Sequence, residues 1–240
     1  MLFYYIRHGN PIYDPDSLTP LGHEQAKAIS KRLNLFGLDK IYSSTSNRAM
    51  LTARPTCDLI RKEPTLLDFA HEDKAWENFS LVNDEGLRTW CFYIPKFKLL
   101  FTDPEVIRLG FDWYNHPQLK EYGFKKGVEK AYDDVDRFIA SLGYEHERYT
   151  GRYKIVNENN ERVALFAHAG FGVLFISALL DIPYPRVAMH FDMQQTGMTV
   201  INFERVGDYA IPKVLTYSND AHLYKEGLPT RYNNSPRLVF

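Results

Sequence analysis

The chain is poor in cysteine and carries no excess of charge of either sign. Its two cysteines, Cys57 and Cys91, form no CxxC pair and have no spacing typical of a zinc site. We therefore expect neither a disulfide framework nor a structural metal. Twenty-nine Lys and Arg against thirty Asp and Glu leave a formal net charge of -1. This balance does not favour nucleic acid or an anionic membrane, so any anion site has to be local.

Targeting and membrane segments are also lacking. No basic region precedes the short apolar run at 2–6 and no A-x-A-like cleavage site follows it, so we expect a cytoplasmic protein. The stretch VALFAHAGFGVLFISALL, residues 163–180, is 18 residues without a charged side chain and approaches the lower limit of a membrane span. His168 and the glycines behind it instead predict a strand at 163–167, a turn and an apolar helix beginning near Gly172.

The composition, 45% hydrophobic and 25% charged, is that of a globular protein, and we expect one domain over 1–240 with an elaboration. Strands predicted at 2–6 and 39–43 alternate with helices. The first helix has Thr19 as N-cap and Pro20 at its first position, and the second begins near Thr45 or Ser46. This alternation predicts an α/β three-layer sandwich, a mainly parallel sheet flanked by helices, with ligands beyond the carboxyl ends of strands.

An aromatic-rich segment at about 67–127 lacks clean periodicity and is predicted to be an inserted cap. We expect most of its aromatic side chains to form a small core and one or two to touch substrate. These side chains are Trp76, Trp90, Tyr93, Phe97, Phe101, Phe111, Trp113, Tyr114 and Tyr122. After the cap, the sequence predicts a helix at 127–142, an exposed hairpin or loop at 149–161, and two strands near a sheet edge in GMTVINFE and AIPKVLTYS.

Four polar side chains stand where ligands are expected. His8 follows the first strand and is a candidate nucleophile, because a neutral imidazole has a free lone pair near pH 7. Arg7 offers a planar donor fork suited to phosphate oxygens, and Arg48 lies early in the second helix, where unpaired N–H groups could face the same anion. His168 follows a second strand. Each alone is compatible with a structural role, but together they would neutralise a phosphoryl group.

The stretches YIRHGN, LTPLGHEQA, YSSTSNRAMLTA and LFAHAGF, in this order, resemble the histidine phosphatase superfamily, the phosphoglycerate-mutase-like group. The resemblance implies a mixed α/β fold, metal-independent phosphoryl transfer and a covalent phosphohistidine on His8. It implies that Arg7, Arg48 and His168 hold the phosphoryl oxygens. We add Ala169 and Asn10 to the phosphate-binding set, although Asn10 stands where the family often has glutamate.

Expelling an alkoxide requires a proton donor, and such an acid typically contributes ~10²–10⁴-fold. The family places this acid near a Gly-x-Trp-Glu-Gly pattern, whereas this chain has FAHEDKAWENF, with Asn78 in place of a glycine. We assign the acid to Glu72, with Glu77 and Asp73 as alternatives. His71 beside it is interpreted as a loop histidine.

The predicted function is a metal-independent phosphomonoesterase that acts on a small phosphorylated substrate and needs no cofactor. The alternatives are a mutase-like phosphoryl transferase, a non-catalytic phosphate-binding protein, and a metal hydrolase using His8, His168 and nearby carboxylates. A small phosphoester is the expected partner, with no nucleic acid and no membrane. Whether the chain forms a homo-oligomer, and what its carboxyl-terminal tail does, stay open.

Overall fold

The computed structural model describes residues 1–230. The strands are β1 Leu2–Arg7, β2 Pro11–Tyr13, β3 Asp16–Leu18, β4 Lys40–Ser44, β5 Thr65–Leu67, β6 Ser80–Val82, β7 Arg88–Trp90, β8 Tyr144–Glu147, β9 Arg152–Ile155, β10 Arg162–Ala167, β11 Met198–Val206 and β12 Tyr209–Asn219. The α-helices are α1 Pro20–Phe36, α2 Asn47–Ile60, α3 Glu72–Phe79, α4 Pro95–Thr102, α5 Pro104–Arg108, α6 Phe124–Ser141, α7 Ala169–Leu180, α8 Tyr184–His190 and α9 Ala221–Lys225. Short 3-10 turns span Asp68–Ala70, Cys91–Tyr93, Gly110–Asn115 and Lys120–Tyr122.

Eight strands form one central sheet in the order β5-β4-β10-β1-β11-β12-β9-β8. The pairs from β5 to β1 are parallel, and the pairs from β1 to β8 are antiparallel. The predicted α/β sandwich is therefore confirmed, with a mixed sheet whose parallel half carries the two histidine motifs.

The antiparallel half differs from the prediction in one respect. β11 lies beside β1 in the interior of the sheet, and β8 is the edge strand. The segment 149–161, expected to be an exposed hairpin or loop, contains β9, which forms a hairpin with β8, pairs with β12 and buries Tyr153 completely. Because this hairpin extends the sheet beyond β12, the two final long strands do not lie at its edge.

The helix starts follow local sequence signals where those are present. The Thr19 hydroxyl accepts from the amide of Gly22, and the Ser46 hydroxyl caps α2, as predicted. The helix after β10, however, begins at Ala169 and not near Gly172. Gly170 lies in its first turn, where the Trp90 ring occupies the space in which a Cβ would stand.

The segment 67–127 consists of the β6–β7 hairpin and short helices, and its core is continuous with that of the sheet. Phe101 and Trp113 belong to the same buried cluster as Phe3 and Phe175. Of the nine aromatic residues of the predicted cap, those that are buried are Phe97, Phe101, Trp113 and Tyr114. The interpretation as an insertion in a single domain stays a prediction, and residues 231–240 of the predicted domain and tail lie outside the described residues.

Both cysteines are free and buried. Within residues 1–230, no helix has both the length and the apolar character that crossing a bilayer requires. The rejected membrane span is divided between β10 and the 12-residue helix α7. The cytoplasmic location and the partner expectations stay predictions.

Candidate active site

The two histidines lie side by side because their strands are neighbours. β1 and β10 are parallel, with Arg7 in register with Ala167, and the amide of His8 donates to the Ala167 carbonyl at 2.9 Å. The rings of His8 and His168 follow directly at the two strand ends, with centroids 5.2 Å apart. The predicted placement of both motifs at the carboxyl ends of strands is confirmed.

His8 is held as a neutral imidazole with one nitrogen available. Its Nδ1 lies 2.7 Å from the Gly9 carbonyl oxygen, which can only accept, so Nδ1 carries the hydrogen and Nε2 keeps its lone pair. Burial, followed by the charges of Arg7 and Arg48, holds the pKa of His8 well below its usual range. A side chain at Gly9 would meet the carbonyl of Gly22 at 2.7 Å, so this turn requires glycine.

Two guanidinium groups lie beside this imidazole, and both arginines are only 7% exposed. Arg7 donates to the backbone carbonyl of Met193. Arg48 donates to Asp16 Oδ1 at 2.9 Å and to Glu72 Oε2 at 3.3 Å. The Nε atoms of both arginines are buried and have no hydrogen-bond partner among the residues described. Such donors suit an anion with several oxygens.

His168 is completely buried and anchored through Nε2. This nitrogen lies 2.9 Å from Ser44 Oγ and 3.2 Å from Ser46 Oγ. Its backbone carbonyl accepts from the Tyr5 hydroxyl at 2.7 Å. Nδ1 is 3.4 Å from Glu72 Oε2 without the geometry of a hydrogen bond. Burial, and then the positive groups around it, place the pKa of His168 well below its usual range.

Glu72, the first residue of α3, brings a carboxyl group to the same centre. Its Oε1 accepts from the amide of Gly170 at 2.9 Å and from that of Phe171 at 3.4 Å, at the start of α7. One ligand atom each of Glu72, His8 and His168 lies within 4.8 Å of the others. Burial raises the pKa of Glu72 although both guanidinium groups oppose it. The site can therefore hold a proton donor beside a nucleophile.

The two alternative acids are placed differently. Asp73 and Glu77 are exposed, and Asp73 Oδ2 lies 3.6 Å from His71 Nδ1. His71 caps α3 by accepting from the amide of Asp73 at 3.3 Å, and its ring is 6.3 Å from that of His168. The structure thus brings Glu72 to the histidine pair and leaves the other two carboxylates outside it.

Asn10 and Ala169 were predicted to bind phosphate. The Asn10 amide oxygen accepts from the Thr19 hydroxyl at 2.9 Å, and the Asn10 backbone amide donates to Gln25 at 2.8 Å. Asn10 therefore braces the start of α1. Ala169 is the first residue of α7 and lines a cavity together with Arg7. Both assignments to the phosphate stay predictions.

The amino terminus of α2 is occupied by protein groups rather than left open, contrary to expectation. Asp16 Oδ2 accepts from the amide of Asn47 at 2.8 Å, and the Ser46 hydroxyl accepts from that of Ala49 at 3.4 Å. The helix start at the centre is that of α7. Sequence reasoning missed Asp16, because it stands in a three-residue strand with no periodic signal.

Two cavities reach the centre from either side. A cavity of 460 Å³ touches Arg7, and one of 650 Å³ touches Arg48. The residues that line both are Tyr13, Glu72 and Trp90. A phosphoryl group at the centre would therefore have room for an attached leaving group, beside the carboxyl group of Glu72.

The same centre contains a donor set that a metal could use. His8, Glu72 and His168 would supply two imidazoles and a carboxylate. A cation there would face two buried guanidinium groups, and Nε2 of His168 is already in contact with two serine hydroxyls. This electrostatic setting favours an anion over a metal ion.

The fold and the site define a class: an α/β protein in which a buried histidine pair, two guanidinium groups and a carboxyl group converge at strand ends. The model of the histidine phosphatase superfamily (branch 1) matches residues 3–86, which include Arg7, His8, Arg48 and Glu72. Over these residues the chain is similar to the histidine phosphatase superfamily, as the motif order indicated. No curated protein matches it in sequence.

Solved structures extend the shared fold over nine-tenths of the chain. A phosphoserine phosphatase from Entamoeba histolytica in complex with 3-phosphoglyceric acid is 19% identical, with a TM-score of 0.59, 92% of this chain and 98% of that chain covered. A mycobacterial glucosyl-3-phosphoglycerate phosphatase is 18% identical, with a TM-score of 0.57, and the match covers 90% of this chain and 98% of that chain. A putative alpha-ribazole-5'-P phosphatase from Escherichia coli is 22% identical, with a TM-score of 0.54, and the match covers 91% of this chain and 98% of that chain. At these identities the likeness establishes the fold, and the superfamily match indicates a phosphatase or phosphoryl-transfer enzyme.

Proposed function

We propose that the chain is a metal-independent phosphomonoesterase that forms a phosphohistidine on His8 and acts on a small phosphorylated substrate. One observation carries the proposal: the neutral imidazole of His8, with Nε2 free, lies within reach of a carboxyl group, Glu72, whose pKa is raised. Solvated side chains with a purely structural role do not need opposite pKa shifts in adjacent groups. A nucleophile beside a proton donor does need them, because the first must be neutral while the second carries a proton.

The first half-reaction transfers the phosphoryl group to the protein. Nε2 of His8 attacks phosphorus, the P–N bond forms, and the bond from phosphorus to the leaving oxygen breaks. Glu72 gives its proton to that oxygen, so the product departs as an alcohol. Arg7 and Arg48 balance the charge on the phosphoryl oxygens, and His168 adds a ring nitrogen, Nδ1, beside them.

The second half-reaction restores the protein. Water attacks the phosphorus of phosphohistidine and loses a proton to the Glu72 carboxylate, the P–N bond breaks, and inorganic phosphate leaves. A mutase would differ only in passing the phosphoryl group to a substrate hydroxyl. The irregular HEDKAWEN segment suggested a non-catalytic binding protein, and the position of Glu72 beside His8 supports the enzyme instead.

The first test is hydrolysis of p-nitrophenyl phosphate in the presence of a chelator. We expect His8→Ala to lower kcat by at least about 10³-fold, because the covalent route is lost. His23→Ala is the matched control, since His23 is an exposed histidine on α1 and should leave the rate unchanged. Acid-quenched wild-type protein should contain an acid-labile phosphoenzyme that is missing from His8→Ala.

The results separate the alternatives. Loss of wild-type activity on chelation would support the metal hydrolase instead. Chelator-resistant activity that persists in His8→Ala would remove the nucleophile assignment. Binding of vanadate or phosphate by a wild-type protein that hydrolyses nothing would favour the phosphate-binding protein.

A further inference from the structure

The cavity of 460 Å³ beside Arg7 is walled by aromatic side chains. We call it the aromatic chamber, and its aromatic members are Tyr13, Trp90, Phe92, Tyr93, Phe191 and Tyr217. We propose that the substrate is a phosphoester whose leaving group carries an aromatic ring, and that this ring binds in the aromatic chamber. The proposal rests on the proposed function for the phosphoryl end of the substrate.

The aromatic chamber adjoins the phosphoryl site at Trp90 and Gly170. A Cβ built on Gly170 would lie 2.2 Å from Cζ2 of Trp90, so the indole ring rests directly on the backbone at that glycine. The amide of the same residue donates to Glu72 at 2.9 Å. The ring of Trp90 is therefore next to the carboxyl group that would protonate the leaving oxygen, and a ring joined to that oxygen would reach it.

The walls of the chamber are held in place before any ligand arrives. Trp90 stacks on Phe92 with ring centroids 5.5 Å apart and an interplanar angle of 13°, and packs edge-on against Trp76 at 4.9 Å. Phe92 in turn packs edge-on against Tyr93 at 4.7 Å. Rings fixed by one another lose little conformational entropy on binding, which favours a flat apolar ligand.

A second aromatic wall closes the chamber from the carboxyl-terminal half of the chain. Phe191, after α8, packs edge-on against Tyr217 of β12 with centroids 5.1 Å apart. The cavity volume falls within the range of about 300–1,000 Å³ typical of small-molecule sites. Aliphatic contacts come from Val173 and Met189. Polar groups also line the cavity, among them Tyr93, Tyr217 and Asp192, so the rings leave hydrogen-bonding partners for a substituted ring.

The chamber also receives one cation from α4. Lys98 is exposed, lines the cavity, and takes part in no ion pair within the part of the chain that is described. Asp192 lines the same cavity, so a polar substituent on the ring would meet one charge of each sign there.

Two substrates isolate the contribution of the ring. Ethyl phosphate and 2-phenylethyl phosphate leave as alcohols of nearly equal basicity, so a difference in kcat/KM reports binding of the phenyl group and not leaving-group chemistry. We expect 2-phenylethyl phosphate to be preferred by about 10–100-fold, the range for burying an apolar group in a fitted pocket. Trp90→Leu should lower this preference by about tenfold. Phe111→Leu, an aromatic change outside the chamber, should leave both values unchanged.

A binding measurement makes the test independent of turnover. His8→Ala titrated calorimetrically with 2-phenylethylphosphonate and ethylphosphonate should bind the first at least about tenfold more tightly. Equal kcat/KM for the two phosphates in an active wild-type protein would overturn the aromatic leaving group and leave the phosphatase intact. A wild type that hydrolyses neither p-nitrophenyl phosphate nor the pair, yet still prefers the phenyl phosphonate, would refute the proposed function and retain the chamber. Equal phosphonate affinities would overturn the chamber even if Trp90→Leu failed to fold.

Discussion

At the scale of single residues, His8 and Glu72 occupy one buried centre, and their pKa values are shifted in opposite directions. Burial disfavours the charged form of each, so it lowers the pKa of the imidazole and raises that of the carboxyl group. The nearby guanidinium groups reinforce the first shift and oppose the second. The same environment thus favours the neutral imidazole of His8 and the protonated carboxyl group of Glu72 more than water would.

The role of Glu72 as acid predicts a dependence on the leaving group. Glu72→Gln should lower kcat for ethyl phosphate by about 10²–10⁴-fold, because the alkoxide can no longer be protonated. For p-nitrophenyl phosphate the loss should be less than about tenfold, since p-nitrophenolate leaves without a proton. Glu77→Gln, the same change at an exposed position of α3, is the control. Equal losses on both substrates would indicate a positioning role for Glu72.

The opposite shifts also set the direction of the pH dependence. Activity toward ethyl phosphate requires neutral His8 and protonated Glu72, so kcat should fall as the pH rises through the Glu72 pKa, which lies above 4.5. On the acid side it should fall only well below pH 6.5, where His8 becomes protonated. With p-nitrophenyl phosphate, whose leaving group needs no proton from Glu72, the alkaline decline should be absent. An alkaline decline that is identical for the two substrates would assign it to another group.

At the scale of elements, the first turn of α7 packs against Trp90 of the β6–β7 hairpin. Alanine stabilises a helix interior by about 1 kcal/mol relative to glycine. At Gly170, however, the added methyl group would overlap Trp90, and we expect Gly170→Ala to lower the free energy of unfolding by about 1–3 kcal/mol. In a Trp90→Ala background the space is free, so the same change should be neutral or stabilising.

Urea unfolding of the four proteins of this cycle measures the coupling between the two positions. Gly172→Ala is the matched control in the same helix. Its Cβ would meet the Met193 sulfur and the Tyr5 hydroxyl at 3.0 Å and not Trp90, so its effect should be the same in both backgrounds. An equal effect of Gly170→Ala in both backgrounds would show that the contact with Trp90 is not the cause of the lost stability.

The helix starts show which features of the structure could be predicted from the sequence. Thr19 and Ser46 act within a few residues of themselves, and the helix starts they specify were predicted correctly. The start of α7 was predicted wrongly because two early glycines suggested a turn, whereas Gly170 lies in the helix and packs against Trp90, 80 positions away in the chain. Asp16 was missed because its partner Arg48 is brought to it only by the folded hairpin of β2 and β3. Local signals predicted the elements, and contacts between distant segments decided the details of the site.

At the scale of the whole molecule, one buried histidine joins the edge of the sheet to two helices. His146 of β8 contacts Asp136 of α6 at 2.7 Å and Asp181, just after α7, at 3.0 Å. Its side chain is 1% exposed. Burial by itself would lower the pKa of His146, but the two carboxylates outweigh it and raise that pKa to about 9. The β8–β9 hairpin is therefore attached to the body of the protein by a charged imidazolium.

This attachment predicts a stability that depends on pH. Because the folded pKa of about 9 lies above the unfolded value of 6.5, the stabilisation by His146 should be complete below pH 6.5 and lost as the pH rises through 9. One pKa unit corresponds to about 1.4 kcal/mol, so His146→Gln should cost about 2–3 kcal/mol more at pH 6 than at pH 9.5. His190→Gln, at an exposed histidine of α8, should cost little at either pH. Urea unfolding at the two pH values measures the difference, and a cost of His146→Gln that is the same at both would mean that His146 acts as a neutral, packed ring.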